Sequence, residues 1–95
     1  MNDLLDLLGT YVSALERGLA ASSEERGEYE RRLAAAAEIG TAVQRRDANE
    51  LKRLIDQETR AAGWAFLSGS LGAAAEEALD RFAYRARMSG ATFAA

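Results

Sequence analysis

The sequence predicts an all-α fold, either a helical hairpin or a small up-down bundle of three to four helices, and three observations indicate this. The 95 residues include no proline, which is the residue that most disrupts a helix interior. Alanine, leucine, glutamate and arginine, all strong helix formers, are abundant. Apolar residues recur at three- and four-residue steps, the spacing of one helix face. We expect a single domain over residues 1–95, with a frayed tail at 89–95.

Asn2 is predicted to cap the first helix, with Asp3 in its first turn, and Gly18 with residues 20–23 marks a break after it. This helix carries an apolar stripe of about five turns, formed by Leu4, Leu8, Tyr11, Val12, Leu15 and Leu19.

A second helix is predicted to begin at about Ser23, because Ser22 and Glu25 have the spacing of a capping box. Its apolar face is thin and consists largely of small residues, which lets another helix approach closely. This face comprises Tyr29, Leu33, Ala36, Gly40 and Val43, with Ala37 and Ile39 alongside.

A tight turn is predicted after Arg45 and Arg46. Basic residues suit a helix C-terminus, and Asp47 with Glu50 repeats the capping-box spacing with Asp47 as the cap of a third helix. The second and third helices would thus form an antiparallel hairpin. The core positions expected from here onward are Leu51, Leu54, Ile55 and Ala62, followed by Leu67, Leu71, Ala74, Ala78 and Phe82.

The uncharged stretch Ala61–Ala75 is the most distinctive part of the sequence. An exposed helix normally keeps a charged face, so we expect this stretch to be surrounded by protein, either at the centre of the bundle or across a homodimer interface. Two glycines within Ser68–Gly72 favour a break or kink. Ser70 would then cap a fourth helix that starts near Leu71.

The composition argues against catalysis. The chain has no histidine and no cysteine, so the commonest general base, nucleophile and transition-metal ligands are missing. Acidic residues at helical spacing, such as Glu76, Glu77 and Asp80, are interpreted as a solvated helix start. We expect no catalytic residue, no cofactor and no metal site.

The aromatic residues of the second half are the main indication of binding. Residues 64 and 66 point about 200° apart on a helix, so one face cannot bury both. Either both Trp64 and Phe66 are core residues of a central helix, or one belongs to an interface, where tryptophan is enriched. The candidate protein-interaction residues are Trp64, Phe66, Leu67, Leu71, Phe82 and Tyr84.

We therefore hypothesise a non-catalytic protein-binding module, such as an adaptor, an inhibitor or a secretion-type chaperone, that uses an apolar helix face and forms a homodimer. The turn Arg46-Asp47-Ala48-Asn49-Glu50-Leu51 loosely resembles turns in helical export chaperones. Phage- and plasmid-encoded inhibitors are similarly small and helical. Both similarities concern shape and involve no shared motif.

The alternative hypothesis is a small dimeric nucleic-acid-binding or regulatory protein. Phosphate contacts need clustered basic residues, and the candidates are Arg45, Arg46, Lys52 and Arg53. However, 15 acidic residues exceed the 12 basic ones, so nucleic acid is the less favoured partner.

A spanning helix is disfavoured, because the uncharged stretch is short and polar. A third hypothesis, a membrane-surface protein that uses this stretch, is disfavoured because no lysine or arginine flanks the stretch on its downstream side. Asp3 and Asp6 interrupt the first leucines, which is atypical of a signal peptide. We expect a cytoplasmic location, and the arginine-rich, alanine-rich usage suggests a bacterial or phage genome.

Overall fold

The computed structural model describes residues 2–21 and 24–88, and this part of the chain forms four α-helices without a strand. The helices are α1 (Asn2–Ala21), α2 (Arg26–Arg45), α3 (Ala48–Leu67) and α4 (Ala73–Met88). The predicted all-α fold class is therefore confirmed. The tail predicted at 89–95 lies outside the described residues.

The helices pack side by side in chain order, and α4 closes the bundle against α1. An ion pair joins Arg85, near the end of α4, to Asp3 at the start of α1, with 2.8 Å between Nη2 and Oδ2. These two helices therefore run antiparallel. The bundle measures 43 × 21 × 18 Å. Its long axis runs along the helices, since a helix of 20 residues is about 30 Å long.

The core runs along the bundle axis and contains residues from all four helices. Its largest fully buried side chains are Tyr11, Phe82, Leu15, Ile39, Leu79 and Val43. The stripe predicted for α1 is confirmed, since Leu4, Leu8, Tyr11 and Leu15 are buried and Val12 and Leu19 pack at its edge. The predicted α3 positions Leu51, Leu54, Ile55 and Ala62 are also buried.

The turn between α2 and α3 follows its sequence signals. Arg46 adopts a left-handed conformation with φ of 55°, and its amide donates to the carbonyls of Ala42 and Val43. The Asp47 carboxylate accepts a hydrogen bond from the Glu50 amide at 3.1 Å and so caps α3. The Glu50 side chain pairs with Arg53.

The turn between α3 and α4 confirms the predicted break. Helix α3 ends at Leu67 and α4 begins at Ala73, later than the predicted start near Leu71. Gly69 has a φ of 83°, a conformation that glycine adopts without steric cost. The Ser70 hydroxyl accepts from the Ser68 hydroxyl, while the Gly72 carbonyl accepts the Glu76 amide of α4.

Three details of the sequence prediction are wrong. Helix α2 begins at Arg26 rather than at about Ser23. Glu25 occupies the N-cap position, and its side chain makes no capping hydrogen bond. Ser22 and Ser23 lie outside the described residues. On α2, Ala37 faces solvent. Leu67 and Ala74 are exposed because the chain turns at Ser68–Gly72, so the apolar period of α3 does not continue in phase into α4.

The expectation that Ala61–Ala75 lies at the centre of the bundle is also wrong for the single chain. Only four residues of this stretch are buried, namely Ala62, Ala65, Leu71 and Ala75. The stretch forms the last turns of α3, the following turn and the start of α4, at one end of the molecule.

Candidate protein-interaction surface

Three large apolar side chains are exposed at the end of α3. Trp64 is 71% exposed, Leu67 77% and Phe66 41%. We call this set the apolar corner. Large exposed apolar side chains that lie together typically mark binding surfaces, and here Trp64 and Leu67 lie together on one side of α3.

The local packing explains why these side chains face outward. Ala62 and Ala65 occupy the core positions of the last two turns of α3. Trp64 and Leu67 are three residues apart and so share a side of the helix, away from those alanines. Phe66 lies on another side of α3, at the margin of the core.

The turn after α3 holds the apolar corner in place. The amides of Ser68, Gly69 and Ser70 donate to the carbonyls of Trp64, Phe66 and Ala65 at 3.0, 3.1 and 2.8 Å. Leu71 anchors the turn from below, since it is 3% exposed and its amide also donates to Ala65. The backbone that presents the corner is therefore well fixed, which lowers the entropy cost of binding.

The other predicted interaction residues divide into two groups. Leu71 and Phe82 are core residues, with 3% and 0% exposure, and they stabilise the bundle rather than offer a surface. Tyr84 is 67% exposed, but it lies eleven residues along α4 from Ala73, about 16 Å of helix. It is therefore separate from the apolar corner.

The predicted basic residues do not form a continuous basic surface. Arg45 lines a groove of about 350 Å³ together with Glu38, Asp47 and Glu50. Arg53 pairs with Glu50, which raises the pKa of Arg53 and lowers that of Glu50. Lys52 lines a second groove of about 390 Å³ beside Asp56 and Arg87. Acidic groups thus accompany these cations, and Arg46 is exposed in the α2–α3 turn.

A buried polar network that the sequence alone did not predict crosses the core from α1 to α3 and α2. The Tyr11 hydroxyl donates to Glu58 Oε2 at 2.7 Å, and Arg32 Nη1 lies 2.7 Å from Glu58 Oε1. Arg32 Nε is also 3.1 Å from Glu28 Oε2. The signal for Glu58 was its position between Leu54 and Ala62 in the apolar stripe of α3.

The network is suited to structure rather than to chemistry on a substrate. Burial is the main reason that the pKa of the Glu58 carboxyl is raised; the Tyr11 hydrogen bond and the Arg32 charge lower this pKa, and the Glu28 charge raises it further. Burial, followed by the charge of Glu58, raises the pKa of the Tyr11 phenol. Tyr11 is 0% and Glu58 3% exposed, and neither lines the two grooves, so a substrate does not reach these groups.

Within residues 2–21 and 24–88, no group of three or more acidic side chains is arranged to hold a metal ion. No helix among these residues combines the length and the apolar character needed to cross a membrane. Comparison of the chain with protein-family models, with curated proteins and with solved structures gives no match.

Proposed function

We propose that this protein is a non-catalytic interaction module that binds another protein chain through the apolar corner. The observation that carries the proposal is the exposure of Trp64 and Leu67, at 71% and 77%. Covering such side chains removes apolar surface from water, which stabilises a complex by about 25 cal/mol for each Å² of apolar surface buried. Tryptophan is among the residues that most often dominate binding energy.

The proposed class of activity is that of an adaptor, an inhibitor or a secretion-type chaperone. Each of these works by contact and needs no reactive group. The composition is consistent with a role that needs no reactive group, because histidine and cysteine are absent from the sequence.

The alternative of nucleic-acid binding receives less support. Arg45, Lys52 and Arg53 each lie beside carboxylates, which reduces the local positive potential that attracts phosphates.

Site-specific photocrosslinking tests the proposal. A photoreactive amino acid replaces Leu67, and the protein is irradiated inside its native cells. We expect covalent adducts with protein at position 67. The same probe at Gln44, which is exposed on α2, serves as the matched control and should give far less adduct. Equal or absent adducts at both positions would refute the proposal.

A further inference from the structure

Tyr29, near the start of α2, is a core residue that reaches the turn between α3 and α4. Its side chain is 7% exposed, and its hydroxyl oxygen accepts a hydrogen bond from the Gly72 amide at 3.1 Å. Gly72 directly precedes α4, and its carbonyl accepts the Glu76 amide of that helix. One side chain of α2 therefore ties the end of the α3–α4 turn to the rest of the bundle.

The ring of Tyr29 lies directly on Gly18 of α1. A Cβ atom added at Gly18 would overlap Cε1 and Cζ of the Tyr29 ring and would lie 2.7 Å from the hydroxyl oxygen. Gly18 does not have a positive φ, so the close approach of the ring, rather than the backbone conformation, accounts for glycine at this position. Gly9 lies in the same helix, and an added Cβ there would meet nothing within 4 Å.

The turn that Tyr29 holds is the turn that follows the apolar corner. The Ser70 and Leu71 amides donate to the Ala65 carbonyl of α3 at 2.8 and 3.2 Å. These bonds satisfy a carbonyl that the last turn of α3 otherwise leaves without a helical partner. If the turn opened, the end of α3 would fray, and Trp64 and Leu67 would lose their fixed orientation.

We infer that Tyr29 is the positioning residue of the apolar corner. With its ring on Gly18 and its hydroxyl on the Gly72 amide, it keeps the α3–α4 turn closed and the last turn of α3 helical. This inference rests on the proposed function and identifies the contact that preorganises its binding surface. A preorganised surface binds more tightly, because less conformational entropy is lost on binding.

Amide hydrogen exchange measured by NMR tests the inference with Tyr29→Phe, which removes the hydroxyl and keeps the ring. The Gly72 amide loses its acceptor in any case, so the informative amides are those of Ser70 and Leu71, whose acceptor stays in place. We expect both amides to exchange at least about tenfold faster than in the wild type, because loss of the hydrogen bond lets the turn open locally. Unchanged exchange of these two amides would overturn the inference.

Tyr11→Phe is the matched control. It also removes a buried hydroxyl, which donates to Glu58 at 2.7 Å instead of contacting the turn. The reference amide is that of Asp47, which is hydrogen-bonded within the α2–α3 turn. Tyr29→Phe should accelerate the exchange of Ser70 more than that of Asp47, whereas Tyr11→Phe should not. Equal acceleration of both amides in Tyr29→Phe would indicate a general loss of stability and would overturn the inference.

Gly18→Ala tests whether the ring depends on its contact with α1. The added methyl group must displace the end of the Tyr29 side chain that carries the hydroxyl, so Ser70 and Leu71 should exchange faster, as in Tyr29→Phe. Gly9→Ala is the control and should leave their exchange unchanged. Circular dichroism verifies that both variants fold. Equal exchange in these two variants would contradict the inferred role of the ring contact.

The two proposals fail in distinguishable ways, because the exchange measurements need no bound partner. Faster exchange confined to the α3–α4 turn, without adducts at position 67 in cells, would retain Tyr29 as the residue that holds the turn and remove the proposed binding. Adducts at position 67 together with unchanged exchange of Ser70 and Leu71 would retain the binding surface and remove Tyr29 as its positioning residue.

Discussion

Glu58 lies in the core between the Tyr11 hydroxyl and the Arg32 guanidinium, each 2.7 Å from one of its oxygens. Burying a carboxylate costs several kcal/mol in lost hydration, and close partners offset that cost. Because Tyr11 and Arg32 belong to α1 and α2, the network joins three helices at one level of the bundle. It thus links α1, α2 and α3 inside the core.

Tyr11→Phe should lower the free energy of unfolding by about 1–3 kcal/mol, because it leaves a buried carboxylate oxygen without its donor. Chemical denaturation monitored by circular dichroism measures the change. Tyr84→Phe is the control, since Tyr84 is 67% exposed and its hydroxyl should contribute less than about 0.5 kcal/mol. Equal stability of Tyr11→Phe and wild type would show that the Tyr11–Glu58 hydrogen bond contributes nothing.

The sequence contained part of this information. The period of α3 places residue 58 among buried positions, so a glutamate there was a recognisable exception to the pattern. Its partners were not recognisable, because Tyr11 and Arg32 are distant in sequence and meet Glu58 only through the packing of three helices.

Asp47 shows how much a single element can be derived from its local sequence. Its side chain caps α3 as the spacing to Glu50 predicted, with a bond of 3.1 Å. The start of α2 was predicted wrongly from the same kind of spacing, because α2 begins at Arg26, and Glu25 at the cap position makes no side-chain cap bond.

Asp47→Ala should destabilise the protein by about 1 kcal/mol, which is the usual contribution of an N-cap. Asp47→Asn retains an acceptor oxygen and should lose only a fraction of that. Thermal or urea unfolding of the pair measures the difference, and an equal loss in both variants would show that the charge, rather than the cap bond, matters at this position.

At the scale of the whole molecule, the uncharged stretch Ala61–Ala75 lies at one end of the bundle and is mostly unburied, contrary to the prediction from its composition. A stretch without charged side chains is expected to be shielded from water. The sequence does not show whether the same chain or another protein shields it. Within one copy, α1, α2 and α4 complete the core without burying Trp64 or Leu67. The arrangement of the four helices, rather than any local pattern, leaves these residues outside.

A bound protein at the apolar corner, as proposed, would reconcile the composition of this stretch with its exposure. The bundle itself would then remain as it is in the single chain.

The fluorescence of Trp64 is the most direct measurement of the central claim, because this is the one tryptophan in the sequence. In an isolated chain its 71% exposure predicts red-shifted emission that acrylamide quenches strongly. We predict that the folded wild type emits, and is quenched, nearly as the urea-unfolded chain is. Blue-shifted emission that acrylamide quenches only weakly in the folded protein would show that Trp64 is buried and would contradict the account.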